Sequence, residues 1–599
     1  MKRILFTLVI GLLALSLLPA QEKADPAADM MKNLQKIDKT EAAPAWLQAG
    51  LESINAGDLM ALMAFLSHDA LEGREVATAG YDIAAQYARS LFALWGLKPG
   101  GDLPRSQQGF FGPEPGGPAA KPERGYLQEF AMKEALECTA TAALETGAGA
   151  ARRSRAFTPE VDFTFTSLLP LDVSAPLVFA GYGISEKAFG WDDLAGLDLK
   201  GKAVLILSDA PGRDDPASPF QKRKELKEKY LAAPPMRRGG GADFAKAAEI
   251  FQRGAAAVLI AKSSLADGDI QREILDRRRV NDEKPILPDS RKKLLLPGSP
   301  GMPWEGRPIV RVSREMADAL LATAGRTVAG LQEEIAARRR PRSQALPGAV
   351  LRLGNGVRYG LVKSANVVAW IEGSDPLLKD EAVVVGAHLD HLGRRGEYIY
   401  NGAEDNASGA CSVLAMARAL ALNPVKPKRS VVFCLWSGEE EGLLGSRFYV
   451  ENPLFAMGKT LAYVNLDMVA RPWDERGLRR MTRMLGVSAD ELLKRITPEN
   501  FLPLSLSADS PGLREALAAA NRHVGFDILY RETPRRLDRM SGGSDHAPFA
   551  NAGRPWAFFI TGMSDVYHTP GDSMEKFDGR TMEKVSRLVY LAAGLLADQ

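Results

Sequence analysis

The chain has 599 residues, 76 of them basic and 74 acidic, for a formal net charge of +2. That length exceeds a single hydrophobic core and calls for several domains. The near-cancellation of charge gives no reason to expect nucleic acid or an anionic membrane surface as a partner.

The N-terminus runs Met1-Lys2-Arg3, then an apolar stretch Ile4–Leu18, then Pro19-Ala20 before the polar Gln21. This pattern is that of a secretory signal peptide cleaved after Ala20. Its apolar run falls short of the ~20 residues that a spanning helix needs. The mature protein is therefore expected in the periplasm or outside the cell, with no stable membrane association after cleavage. Residues 21–45 are polar and rich in Ala and Lys, as in a flexible lead-in. Helical spacing follows through Leu59–Leu66 and Ala84–Leu97, and Gly100–Gly125 is crowded with Gly and Pro, as a loop is.

From Val161 to Gly330 the pattern changes to short β-like runs: Leu177–Phe179, Ala203–Leu207, Ala256–Ile260 and Ile309–Val312. They mark a domain inserted before the remaining segments. Within it, Gly212–Gly241 joins a Lys/Glu-rich helix to Pro and a Gly triplet and is expected to be exposed and mobile. The charge blocks Lys222–Lys229 and Arg338–Arg342 read as solvated faces. The three cysteines, Cys138, Cys411 and Cys434, are odd in number and widely spread, which is no disulfide framework. Cys411 and Cys434 fit small buried hydrophobes, since neither has a base at a recognisable spacing.

From Asn366 onward strands and helices alternate: Ala382–Ala387, helix Ser408–Leu422, Ser430–Trp436, helix Leu443–Glu451, Leu461–Met468, helix Gly512–Val524, Trp556–Thr561 and helix Met574–Ala597. Continuous apolar strands between amphipathic helices predict an α/β fold, a mixed and largely parallel sheet sandwiched by helices. Ligands of such sheets sit beyond the carboxyl ends of the strands.

Five segments place a metal-binding or proton-transferring side chain there: AHLDH (387–391), AEDNASG (403–409), WSGEEEGLLGS (436–446), VNLDM (464–468) and VYHTPGD (566–572). Residues two apart on a strand face the same way, so His388 and Asp390 can point toward one site, whereas His391 faces away on continued strand geometry. Asp405, in a loop entering a helix, can bridge two cations with its two oxygens. Glu439, Glu440 and Glu441 are costly to hold together unless cations compensate them. One glutamate as ligand and its neighbour as general base explains that cost, with Glu441 the exposed member. Asp467 ends an apolar strand where an unpaired carboxylate is unfavourable, and Pro570 fixes the backbone after His568. His68 and His523 have no comparable setting; His546, in Ser544-Asp545-His546, is placed to support the ligands.

Divided between two sites, these groups give one ion His388 and Asp467 and the other Glu440 and His568, with Asp405 shared. Nitrogen and oxygen donors without thiolate fit two Zn²⁺, with Co²⁺ or Mn²⁺ as substitutes. Ions about 3.5–4 Å apart can hold a bridging hydroxide and polarise a carbonyl. Glu439 would then take the water's proton and deliver it to a leaving amine.

At these residues the sequence resembles the co-catalytic dizinc metallopeptidases of the bacterial leucyl aminopeptidase type, relatives of glutamate carboxypeptidase. Upstream, the segment from Leu66 to Arg74 (LSHDALEGR) with Gly96-Leu97-Lys98-Pro99 is similar to that family's N-terminal portion. Gly181-Tyr182-Gly183, Gly201-Lys202-Ala203-Val204 and the segment from Gly254 to Val258 resemble an inserted, β-rich protease-associated domain. The resemblance implies metal ligation by His388, Asp405, Glu440, Asp467 and His568, general-base action by Glu439, and support of the first ligand by Asp390. It also implies the layout: signal 1–20, lead-in 21–45, first part of the peptidase domain 46–160, inserted domain 161–345 and catalytic domain 346–599. The implied activity is an exported aminopeptidase acting on peptides, with a carboxypeptidase of the glutamate carboxypeptidase type as the alternative and a non-catalytic binding protein behind both. Ser564 departs from the histidine expected before the Tyr567-His568 segment. N-terminal sequencing of exported protein should begin at Gln21; a sequence beginning at Met1 would contradict the signal assignment.

Overall fold

The computed structural model describes residues 32–599 apart from 103–123, 148, 165–168, 232–240, 264–292, 298–306, 486–487, 509, 535–542 and 564. The signal segment, most of the Gly/Pro-rich loop, Gly239 and Gly240 of the Gly triplet, and Ser564 lie outside the described residues. No helix among those described is long and apolar enough to cross a membrane.

Four short strands, each buried along nearly its whole length, form the centre of the C-terminal half: Ala382–His388, Ser430–Trp436, Thr460–Leu466 and Trp556–Phe559. They lie side by side in parallel, in the order Trp556–Phe559, Thr460–Leu466, Ala382–His388, Ser430–Trp436. Their register aligns His388 with Trp436 and Gly386 with Asn465. Antiparallel neighbours extend both flanks: Phe501–Ser507 beside Trp556–Phe559, and the end of Ser343–Ile371 beside Ser430–Trp436. The sheet is thus mixed, with a parallel centre whose carboxyl ends all emerge on one edge.

Side-chain alternation splits the core in two. Val383, Val385 and Ala387, with Val431, Phe433 and Leu435, pack on the face covered by Ser408–Leu422 and Arg580–Asp598. Ala382, Val384, Val432, Cys434 and Trp436 face the other way, onto Tyr449, Tyr463 and Phe549. Burial on both faces is what a parallel strand requires, and it is why these runs show no polar alternation. Cys411 and Cys434 are fully buried and unpaired, and burial pushes both thiols up, away from reactivity.

A second unit grows from the same sheet. Strand Leu127–Thr146 pairs antiparallel along most of the 29-residue strand Ser343–Ile371. The far half of this ribbon pairs with Leu171–Ala180, which leads into parallel Ala203–Leu207, Ala257–Ala261 and Ile309–Val312. Helices Arg314–Leu321 and Val328–Arg338 pack on its core, which draws in Ala142, Leu144 and Phe157 on one side of the 161–345 segment and Leu346 to Leu353 on the other.

The loop before helix Ser408–Leu422 is a single π-type turn, Ala403–Ala407, in which Asp405 and Asn406 leave helical backbone angles. Asn406 ties it down: its Nδ2 donates to the Leu466 carbonyl, and its Oδ1 accepts from the Gly409 and Met468 amides. Gly409 must lack a side chain here, since a Cβ would stand 2.4 Å from Asn406 Oδ1 and 2.6 Å from the Leu466 carbonyl oxygen. Gly409→Ala should therefore destabilise the protein by roughly 1–3 kcal/mol, as overpacking does. Urea unfolding checks this, and an unchanged midpoint would contradict the close packing of loop on strand.

Candidate metal centre

His388 is the last residue of its strand, Glu439 and Glu440 follow Ser430–Trp436 by three and four residues, and Asp467 directly follows Thr460–Leu466. Adjacent parallel strands thereby converge three of the five segments on one edge, and Asp405 and His568 reach it from loops. The His388 Nε2 lies 3.2 Å from Asp405 Oδ1 and 3.5 Å from Asp467 Oδ1. The His568 Nε2 lies 3.0 Å from Asp405 Oδ2 and 3.3 Å from Glu440 Oε1. Asp405 thus turns one oxygen toward each of two donor groups, one with His388 and Asp467, the other with Glu440 and His568.

Despite those distances, neither the His388 nor the His568 Nε2 makes a hydrogen bond among the described residues. A buried imidazole nitrogen close to two carboxylate oxygens but aimed at neither is placed as a metal donor is, and two nitrogens with four carboxylate oxygens match Zn²⁺ chemistry. The site residues therefore fit a pair of such ions. His388 also meets the requirement that a ligand's other nitrogen be held, its Nδ1 lying 3.0 Å from the Asp390 backbone carbonyl.

Asp390 supports the site differently from the expectation. Its backbone oxygen, not its carboxylate, holds His388; the carboxylate accepts from the Glu439 and Glu440 amides at 3.1 and 3.3 Å. It therefore sets the turn that presents both glutamates. Glu439 is buried, the Glu440 side chain is only 2 % exposed, and Glu441 is half-buried rather than exposed.

Several groups escaped the sequence reading. Asp572, the last residue of VYHTPGD, accepts from the Glu404 and Asp405 amides at 2.9 and 3.1 Å. Glu404 accepts from the Ala470 and Arg471 amides just beyond Asp467. Ser544 donates to Asp467 Oδ2 at 2.6 Å and ends a buried relay: Trp436 Nε1 donates to Tyr463, Tyr463 to Asn465, and Asn465 to Ser544. His546, which the sequence reading did name as a support of the ligands, stacks on Phe558 with ring centroids 4.6 Å apart. Finally, fully buried Arg74 donates to the carbonyls of Leu66, Leu389, Asn401 and Gly402. These tie the stretch after His388 to the one before Asp405. His391, expected to face away, is buried with its Nδ1 3.0 Å from Glu440 Oε1. The strand ends at His388, so the alternation on which that expectation rested no longer holds three residues later.

Electrostatics show how far the site is from neutrality. Burial alone would lower the His388 imidazole, yet Glu439, Asp467 and Asp405 drive it well above its ordinary value. His568 is likewise pushed up to about 10, against its burial, by Glu440 and Asp405. Burial, reinforced by Asp572, raises Glu404 to about 8, and burial raises Asp545 to about 7. Burial pulls Arg74 down to about 10, while Asp390, Asp572 and Asp405 push it back.

Convergent imidazoles and carboxylates on the carboxyl edge of a parallel α/β sheet form the donor set of a candidate metal centre. Residues 366–593 match the model of Peptidase family M28. Through this segment, which is less than half of its length, the chain is similar to that family. It is 26 % identical over 235 residues to leupeptin-inactivating enzyme 1 of Streptomyces exfoliatus, covering 39 % of this chain and 43 % of that enzyme. It is 30 % identical over 219 residues to aminopeptidase YwaD of Bacillus subtilis, covering 35 % and 40 %. The chain thus spans less than half the length of these curated relatives. Among solved structures, an aminopeptidase from Aneurinibacillus sp. strain AM-1 aligns over 91 % of this chain and 95 % of its own, at 19 % identity and a TM-score of 0.46.

A raised imidazole stabilises the metal-free fold fully below its ordinary value of 6.5, and for His568 this is lost as pH climbs through about 10. Metal-free protein should therefore lose stability across that window. Metal ligation needs neutral imidazoles, so zinc binding near pH 7 should release about two protons, from His388 and His568. Calorimetric titration in buffers of different ionisation heat measures this; heats independent of buffer would contradict it.

Proposed function

We propose that this protein is an exported, zinc-dependent aminopeptidase that removes N-terminal residues from peptides. The observation that carries the reading is the division of Asp405, with Oδ1 toward His388 and Oδ2 toward His568. A carboxylate placed this way can serve two cations, and the similarity of residues 366–593 to Peptidase family M28 supports peptide bonds as the substrate class. The relative named an aminopeptidase, 30 % identical over its aligned stretch, favours the free amino end over the carboxyl end. The apolar Ile4–Leu18 stretch behind Met1-Lys2-Arg3 supports export.

In this reading His388, Asp405 and Asp467 would hold one zinc ion, and Asp405, Glu440 and His568 would hold the other. Bound there, the ions would supply Lewis-acid polarisation of the scissile carbonyl and acidify a water toward neutral pH. The protein's own part is positioning and proton transfer. Glu439, buried and fixed through its amide by Asp390, takes a proton from the attacking water and delivers it to the leaving amine. Ser544 and the relay behind it keep the outer oxygen of Asp467 occupied, so its other oxygen stays turned to His388. Asp572 and Asn406 hold the backbone on either side of Asp405, fixing the shared ligand that both halves use.

Zinc-loaded protein should hydrolyse amino-acid arylamides and lose that activity to a chelator. Glu439→Gln should lower kcat by roughly 10²–10⁴, the range of general-base catalysis, with two zinc ions retained by elemental analysis. An unchanged kcat would remove Glu439 as the base. Cleavage of N-blocked peptides in preference to free-amine substrates would sink the aminopeptidase assignment.

A further inference from the structure

Three imidazoles meet at this centre, and they do not all meet it in the same way. The Nε2 atoms of His388 and His568 sit 3.0–3.5 Å from carboxylate oxygens without a hydrogen bond. The His391 Nδ1 instead is directed at a single oxygen, Glu440 Oε1, at 3.0 Å and with hydrogen-bond geometry, and stands 3.9 Å from Asp405 Oδ2. Two nitrogens each lie near two carboxylate oxygens without a hydrogen bond to either, as a cation's donors do, and the third meets one oxygen in hydrogen-bond geometry, as a proton's donor does. A carboxylate accepts only, and a lone pair facing it at this distance would repel it, so Nδ1 carries the hydrogen. That assignment also leaves no buried N–H without an acceptor, because Nε2 has no hydrogen-bond partner among the described residues.

We propose that His391 is a positioning residue whose Nδ1–H fixes Glu440 Oε1, the oxygen that also faces His568, and that His391 does not itself bind metal. The inference rests on the two-metal reading above. A ligating carboxylate needs its orientation held by a hydrogen-bond partner, and Glu440 follows directly on the base, Glu439, in a turn with no regular structure. A hydrogen bond on the donor oxygen also draws electron density from it and leaves a bound cation more electrophilic.

The surroundings fix the ring for this task. Its side chain is fully buried. Its backbone amide donates to the Arg74 carbonyl at 3.2 Å, so the residue that clamps the ligand-bearing stretches also anchors His391. Gly402, at φ 56°, lies flat against the ring: a Cβ there would stand 2.5 Å from its Cγ and Cδ2. The ring edge meets His568 with centroids 5.7 Å apart at 68°, which blocks rotation toward the second donor group.

The test compares His391→Leu, which removes the donor, with His391→Asn, whose side-chain amide N–H can take the place of Nδ1–H. Zinc affinities of metal-free protein are read by competition with a chromophoric chelator. His391→Leu should weaken one of the two zinc ions by roughly 10–100-fold, the usual cost of losing a group that orients a ligand, and His391→Asn should restore most of that affinity. Proton NMR of Co²⁺-substituted protein supplies an independent readout, because each metal-bound imidazole shows a strongly shifted, exchangeable N–H. Wild type and both variants should show two such signals, from His388 and His568. Three in wild type, falling to two in either variant, would make His391 a ligand and overturn the proposal. So would unchanged affinities in His391→Leu, or an Asn variant as weak as the Leu one. Wild-type protein that bound no zinc would sink the two-metal reading itself, and the proposal with it.

Discussion

The centre is governed by a concentration of buried negative charge at the carboxyl edge of four parallel strands. Asp390, Asp405, Glu404, Glu439, Asp467, Asp545 and Asp572 are all buried within the loops of this edge. In a low-dielectric setting like charges at such spacing cannot all remain ionised without cations. The protein meets the demand in three ways. Backbone amides donate to Asp390, Asp572 and Glu404, burial leaves Asp545 and Glu404 readily protonated near neutrality, and the imidazoles of His388 and His568 are driven positive. What remains, centred on Asp405, is a deficit that metal cations are suited to fill.

Holding that charge in place requires covalently distant parts of the chain. Arg74 belongs to a turn before the helix Ala79–Leu94, yet its guanidinium spends its hydrogen bonds on carbonyls flanking His388 and Asp405. Among the described residues it forms no ion pair with a carboxylate; it shapes backbone and adds a positive charge behind the candidate donors. The matched family segment begins at residue 366, so a residue almost 300 positions upstream completes the geometry of the site. The relay from Trp436 to Ser544 does the same from inside the core, linking the packing of the sheet's second face to the orientation of Asp467.

Much of this was legible from the sequence, for a physical reason. Parallel strands buried on both faces are continuous apolar runs, so Ala382–His388 and Ser430–Trp436 announce themselves, and a charged residue at the end of such a run has little structural use. That logic found His388, Glu440 and Asp467; Asp405 and His568 were read from loop segments, and the fold brings all five together. It failed for His391 because it extended strand alternation past the strand's last residue. It passed over Glu404 and Asp572 because their partners are backbone amides in other segments, and no local pattern encodes those. Arg74 carried no local signal of its role either, since its acceptors are carbonyls, which every residue has.

By itself the sequence determined the class of fold, the position of the candidate donors at the carboxyl edge of the strands and the chemistry of the donor set. Hydrophobic periodicity and residue type are local properties and survive without the third dimension. Only the tertiary structure decided how the donors are shared. It turned the two oxygens of Asp405 to opposite sides, gave the Asp390 carboxylate to the glutamate turn instead of to His388, and brought His391 and Arg74 into the centre. Those outcomes depend on register between strands, on angles at single atoms and on contacts across hundreds of residues, and packing alone sets them.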